Sequence, residues 1–256
     1  MHPIAFTNQK GGVGKTTTVA NVGAGLAKRG KSVLVVDLDA QAHLTHGLGV
    51  EANELERTVF DVLSGVANLS DVVIERPVDG ALYPLHLIPS SIDLSAADVQ
   101  LVARPGREML LREAFEEAER YDFVLIDCPP NLGLLTLNAM AAARDIILVA
   151  QVEYYAMQGM TNLLDSVDLV RRYYNKSLSI SGVVATLYDA RKNLHREVLE
   201  RFRSHFGDVL FKTQIRDTIA LAEAPSHGKT IFEYQPRSNG ADDFEALTTE
   251  ILQRYA

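Results

Sequence analysis

Seven short aliphatic runs punctuate this sequence, and most of them lack alternation with polar residues: Ile4–Thr7, Ser32–Asp37, Leu85–Ile88, Phe123–Asp127, Ile146–Ala150, Ile180–Thr186 and Val209–Phe211. A strand with one face in water reads apolar, polar, apolar; a strand covered on both faces reads as a continuous apolar run. The runs therefore predict strands of a parallel sheet. Helical patterns lie between and after them, at Lys15–Arg29, Arg107–Arg120, Leu134–Ala143, Gly159–Tyr174, Leu194–Phe206 and Gly240–Tyr255. The expected fold is α/β: a single doubly wound, mostly parallel sheet with helices on both faces. With 47% hydrophobic residues to fill a core, and no low-complexity linker, repeat or long charge run, residues 1–256 read as one domain.

Composition removes several classes of function. No stretch reaches the roughly 18 consecutive apolar residues of a membrane span. The chain opens on the strand-like PIAFTN without a charged-then-apolar leader, so no secretion signal is expected. Cys128 is the only cysteine, which excludes an internal disulfide. A cysteine-ligated metal or iron–sulfur cluster would need a second subunit, and the cytoplasm is the expected compartment. Net charge is −8, which taken alone argues against a polyanionic partner, yet Arg171–Arg237 carries 12 Lys/Arg against 7 Asp/Glu. That local balance of +5 leaves −13 on the remainder, so the basic third is able to meet a polyanion while the rest keeps the chain soluble. Ordinary solvated helix faces are the plainer reading of the same charges.

The chemistry begins after the first run. NQKGGVGKTTT, Asn8–Thr18, follows a strand and opens a helix, the setting in which a glycine-rich loop binds phosphate. Gly11, Gly12, Val13 and Gly14 turn backbone N–H groups inward around phosphate oxygens, and the helix N-terminus adds a positive dipole end. Lys15 is expected to reach the β- and γ-phosphates, Thr16 to bind Mg²⁺ through its hydroxyl, and Thr17 to contact the α-phosphate. VLVVDLDAQ sets Asp37 and Asp39 at the carboxyl end of a second buried strand, and FVLIDCPP sets Asp127 at the end of a third. Strand-end carboxylates beside a phosphate loop are where Mg²⁺ and an attacking water are held. Asp127 reads as the acid that holds magnesium through its water shell, and either Asp39 or Asp37 as the one that orients water. Lys10, five residues before Lys15, exceeds what such a loop needs.

In order and spacing, KGGVGKTTT, VDLDAQA, YDFVLIDCPPNLGLLTLNA, VEYYAMQG, YDARKNLHREV and EAPSHGKTIFEY resemble the ParA/Soj family of chromosome- and plasmid-partition ATPases, within the wider deviant Walker A (MinD/ParA) class. The resemblance runs from about residue 4 to residue 252. It implies an ATP hydrolase that uses ATP/ADP and Mg²⁺, forms a homodimer on binding ATP, holds DNA without sequence preference on the nucleoid, and answers to a ParB-type partner. It also implies a role for the early lysine: Lys10 reaches across the dimer to the partner's phosphates, as an arginine finger does. By the same resemblance Asp39 activates water and Asp37 supports it. Other deviant Walker A outputs fit less well. The iron–sulfur members use two cysteines per subunit, and the tail ADDFEALTTEILQRYA, with four acids and one arginine, lacks the basic membrane helix of the MinD type. Only nine residues precede Lys10, which matches the short form without an N-terminal helix-turn-helix.

For DNA, the candidates are Arg191 and Lys192 in YDARKN, Arg196 and Arg203 seven residues apart on one helix face, and Arg216, with Lys229 and Arg237 beyond. Arg191 matches a DNA-contact position of the family. IRDTIALAEAPSHGK departs from the family's usual IPRNVRLSEAPSHGK: Asp217 and Ala220 stand where relatives carry arginine, and Arg216 where they carry proline. The second of those arginines belongs to the family's DNA surface. A positioning switch with a protein cargo and weakened DNA binding is therefore the alternative output.

Overall fold

Each aliphatic run becomes a strand, and the strands join in one sheet. A computed structural model describes residues 1–154 and 156–255, with the backbone alone for residues 157–161. The strands are β1 His2–Thr7, β2 Val33–Asp37, β3 Ile74–Arg76, β4 Leu85–Ile88, β5 Phe123–Asp127, β6 Asp145–Gln151, β7 Ser179–Tyr188 and β8 Leu210–Arg216. They lie in the order β3-β4-β2-β5-β1-β6-β7-β8, and every pair is parallel except β3 with β4.

The chain crosses from β1 to one side for β2, β4 and β5 and to the other for β6, β7 and β8. β1 is thus the switch point, where an open parallel sheet leaves a crevice beyond its strand ends. Alternate residues of each strand feed two cores. Ile4 and Phe6 face Val19, Val22 and Leu26 of helix Lys15–Lys28, with Phe244, Leu247 and Ile251 of helix Asn239–Arg254. Ala5 faces the other layer, with Ala139 and Met140 of helix Leu134–Ala142 and Val167 and Val170 of helix Ala156–Tyr173. Each such buried aliphatic or aromatic side chain contributes about 1.5–3 kcal/mol, which is why the two-sided strands show no polar alternation. No described helix is long and apolar enough to cross a membrane.

Departures from the sequence expectation have local causes. β8 runs on to Arg216 through the polar KTQIR, because it is an edge strand. Its amides are taken by carboxylates of helix Asn239–Arg254: Lys212 and Thr213 N–H both donate to Glu250 at 2.8 Å, and Arg216 N–H donates to Asp243 at 2.9 Å. β3, missed from sequence, is three residues pairing antiparallel with β4. The single helix expected at Arg107–Arg120 is instead Leu110–Ala114 followed by a 3₁₀ turn at Phe115–Ala118. Asn138 pins the start of that segment, donating to the Arg107 carbonyl at 2.7 Å and accepting from Leu111 N–H at 3.1 Å. Helix Ala156–Tyr173 begins before the expected Gly159, and within VEYYAMQG Tyr155 lies outside the described residues. Short helices at His43–Gly47, Ile219–Glu223 and Ile231–Tyr234 occupy connections that periodicity left unassigned, and the first two line the crevice.

Candidate active site

The loop between β1 and helix Lys15–Lys28 is held open by backbone that only glycine adopts easily. Gly12 and Gly14 have φ of +74° and +86°, and a Cβ at Gly11, Gly12 or Gly14 would meet nothing within 4 Å. The empty side is a cavity of about 680 Å³ that Gly11, Gly12, Gly14, Lys15, Thr16 and Thr17 line from the phosphate-loop end. Val13 does the opposite: its side chain is buried, and its carbonyl accepts the Thr186 hydroxyl at 2.7 Å, tying the loop to β7. Asn8 ties it to β6, donating to the Val149 carbonyl at 2.7 Å while accepting Lys10 N–H at 2.9 Å. Lys15 is 7% exposed and its ammonium touches the Lys10 carbonyl at 3.3 Å, so its charge is folded inside the loop it would neutralise phosphate from.

Register brings the carboxylates together. Asp37 and Asp127 are direct partners across β2 and β5. Asp127, 1% exposed, accepts the Thr16 hydroxyl on Oδ2 at 2.7 Å and leaves Oδ1 buried without a hydrogen bond. Burial raises its pKa first, and the neighbouring Asp37 raises it further. A carboxylate so disfavoured calls for a cation, and an unpartnered oxygen next to the Thr16 hydroxyl suits Mg²⁺, which keeps its waters and takes few protein ligands. Among the described residues no cluster of three or more His, Cys, Asp or Glu is placed to hold a metal, so this ion would share its coordination with phosphate oxygens.

Asp37 is spoken for. It is 0% exposed and accepts from Thr45 N–H at 2.9 Å, the Thr45 hydroxyl at 2.8 Å and Asp39 N–H at 3.1 Å. Burial raises its pKa, against the opposing pull of those Thr45 and Asp39 bonds. Asp39 lines the cavity, with its carboxylate accepting Gln41 N–H at 3.0 Å. Of the two candidates left open by spacing, Asp39 alone is open to a water in the cavity, and Asp37 shapes the turn that carries it. Thr45 was invisible to sequence reading, because nothing in HLTHG marks it as buried. Asn21 had a signal: a lone amide inside the apolar stripe of a helix. It donates to the Thr17 carbonyl at 2.8 Å and accepts Ile231 N–H at 2.7 Å.

Lys10 stands apart from the cavity. Its half-exposed ammonium pairs with Glu153 and donates to Gln151 at 3.1 Å, at the end of β6. His43 and His46 line the cavity wall after Asp39. Cys128 is buried, and burial pushes its thiol pKa up, as befits an inert packed side chain.

The basic candidates divide. Arg191 is almost fully exposed and bound bidentately by Asp189 at 2.9 Å, which raises its pKa. Arg196 donates to the Ala190 carbonyl at 2.7 Å and to Asn193, and Arg203 pairs with Glu200 on the same helix, Asn193–Phe206. Lys192 has no ion pair among the described residues. Arg216 lies elsewhere: it lines the nucleotide-sized cavity, and Asp243 holds its guanidinium at 2.6 Å. Ala220 is buried, whereas its neighbour Ile219 is 77% exposed.

Comparison with known proteins identifies the family. A family model described as an AAA domain matches residues 1–180. The sporulation initiation inhibitor protein Soj of Bacillus subtilis is 45% identical over 249 residues, covering 97% of each chain. The chromosome-partitioning ATPase Soj of Treponema pallidum is 45% identical over 252 residues, covering 98% of this chain and 97% of its own. Among solved structures, a protein named cobyrinic acid a,c-diamide synthase from Mycobacterium smegmatis, with bound ADP and magnesium, superposes with a TM-score of 0.86 at 35% identity, covering 100% of this chain and 96% of the other. Identity of this extent over nearly the whole chain makes it a member of the ParA/Soj family of chromosome-partitioning ATPases.

Proposed function

We propose that this ATPase is a nucleotide-driven switch that moves a chromosome or plasmid. With ATP and Mg²⁺ it forms a homodimer that holds DNA of any sequence on the nucleoid, and hydrolysis, stimulated by a ParB-type partner, lets the DNA go. The observation that carries the chemistry is the convergence at the ends of β1, β2 and β5: Lys15 inside the loop, Asp127 with an unpartnered oxygen beside Thr16, and Asp39 facing the cavity. Lys15 binds the terminal phosphates, the loop amides orient them, and Asp39 holds the attacking water. Mg²⁺, when bound, neutralises charge on the phosphate oxygens; Thr16 and Asp127 are the residues to hold it.

Lys10 supplies the switch. In one chain it rests on Glu153 and Gln151, away from its own phosphate site, which leaves it free to exchange that exposed ion pair for a partner's phosphates. Lys10→Ala should leave ADP binding unchanged and lower the ATP-dependent dimer fraction about tenfold or more. Light scattering on an Asp39→Ala background, with and without the added change, measures it, and equal dimer fractions would remove the cross-subunit role.

DNA is assigned to the Arg191–Arg203 surface. Arg191 must leave Asp189 to meet a phosphate, and exposed ion pairs exchange at a cost of about 0–1 kcal/mol. Filter binding to random DNA, with and without ATP, tests the reading. Binding should need ATP, because a dimer doubles the patch, and should fall steeply with salt. Arg191→Glu should weaken all sequences alike and reduce the salt slope by about one. The burial of Ala220, where relatives carry an arginine of the DNA surface, favours the second reading, a protein-positioning switch. Absence of DNA binding by the ATP dimer at low salt would select it.

A further inference from the structure

Arg76, at the end of the short edge strand β3, is outside the cavity and partly buried, and besides the neighbouring Pro77 carbonyl it contacts two distant stretches, at Leu48 and at Gly228–Glu233. Its guanidinium pairs with Glu233, the two side chains being 12% and 7% exposed. It also donates to the carbonyls of Leu48 at 3.3 Å, Gly228 at 2.9 Å and Pro77 at 2.5 Å. Leu48 follows helix His43–Gly47, which comes after Asp39 and whose His43, His46 and Gly47 form one wall of the cavity. Gly228 sits in the adjoining wall, between the cavity-lining Ser226 and Lys229.

The two walls meet as bare backbone. Gly49 has φ of +81° and Gly228 φ of +62°, and a Cβ built on Gly228 would lie 2.6 Å from the Gly49 Cα. No side chain fits between them, so their spacing depends on what grips both from behind. Arg76 does this with one planar fork, and Glu233 anchors the fork. The Glu233 carboxylate also accepts Thr230 N–H at 3.0 Å and the Thr230 hydroxyl at 2.8 Å. The next residue, Ile231, donates its N–H to Asn21 of the phosphate-loop helix.

We infer that Arg76 is a positioning residue for the nucleoside end of the bound nucleotide: it holds the Pro225–Lys229 wall against the wall that follows Asp39. The inference rests on the nucleotide reading of the cavity. Phosphates occupy the glycine-loop end, and the far end, where Ile215, Leu221 and Pro225 line it, is apolar enough to take a flat base. The phosphate end does not depend on Arg76. Asp37 and Thr45 hold the Asp39 turn, while Asn8 and Thr186 hold the glycine loop. Loss of the brace should therefore weaken binding of the nucleoside and spare both phosphate binding and the chemical step.

Arg76→Lys separates positioning from stability, because an ammonium keeps the ion pair with Glu233 but cannot also fork to both walls. Calorimetric titration with Mg–ADP and with Mg–pyrophosphate, beside steady-state ATP hydrolysis well below the unfolding temperature, gives the readout. Affinity for ADP should fall about tenfold, as for one or two hydrogen bonds lost. The KM for ATP should rise similarly, while pyrophosphate affinity and kcat change less than about twofold. Glu233→Gln, which releases the fork at its anchor, should give the same split and serves if the lysine variant does not fold. Unchanged ADP affinity in a folded variant, or a parallel loss of ADP and pyrophosphate binding, overturns the inference. Failure of the wild-type protein to bind ADP would instead sink the nucleotide reading on which it rests.

Discussion

Lys15→Ala is expected to abolish nucleotide binding. The ammonium is almost wholly enclosed by the loop, where screening by water is weak and a triphosphate must find its main cation. Its replacements are poorly placed: Arg216, also on the cavity wall, is held by Asp243. Removing one partner of a buried charge pair costs about 3–5 kcal/mol, which is roughly a hundredfold to several thousandfold in affinity. Titration with Mg–ADP should show no saturation at millimolar concentration. The free protein should unfold within a few degrees of the wild type, since Lys15 makes a single long hydrogen bond, to Lys10 O. Binding within tenfold of wild type would mean that phosphate is held by backbone amides alone.

Asp39→Ala should do the reverse: keep nucleotide and stop turnover. The Asp39 carboxylate makes one local bond, to Gln41 N–H, and the turn beneath it is held by Asp37, so removing the side chain leaves the cavity walls standing. General-base or water-orienting groups are worth about 10²–10⁴ in rate. Single-turnover hydrolysis should slow by that factor, with the ATP-bound dimer accumulating. Normal turnover would eliminate Asp39. It would not rescue Asp37, which has no exposed surface from which to touch a water at the phosphate. Of the two strand-end acids that spacing leaves open, burial makes Asp39 the one that faces the cavity.

Legibility followed how far apart the cooperating residues lie in the chain. The parallel core was readable because each buried strand carries its own evidence in consecutive residues, and the phosphate loop because all its parts fall within one turn and one helix start. β3 and the polar half of β8 were not, since an edge strand of three residues or of mixed polarity looks like a loop until a neighbour pairs with it. Within the site the same rule holds. Lys15, Thr16 and Asp127 each announce themselves by motif. Thr45, Glu153 and Arg76 matter only through partners 8, 143 and 157 residues away, at Asp37, Lys10 and Glu233. Arg216 shows the converse: a basic residue near a basic stretch reads as DNA surface, whereas the structure ties it to Asp243 on the cavity wall.

The acids of the terminal helix bear on how the molecule meets others of its kind. Glu250 and Asp243 take the amides of Lys212, Thr213 and Arg216, so β8 offers an approaching strand few unsatisfied donors. At the far border, β3 is too short to template another strand and runs against the sheet's direction. Both borders are therefore poor templates for strand addition. A binding segment in extended conformation finds little sheet edge to lengthen here. Helices and loops are thus the surfaces better suited to docking, and contacts of that kind are readily made and broken.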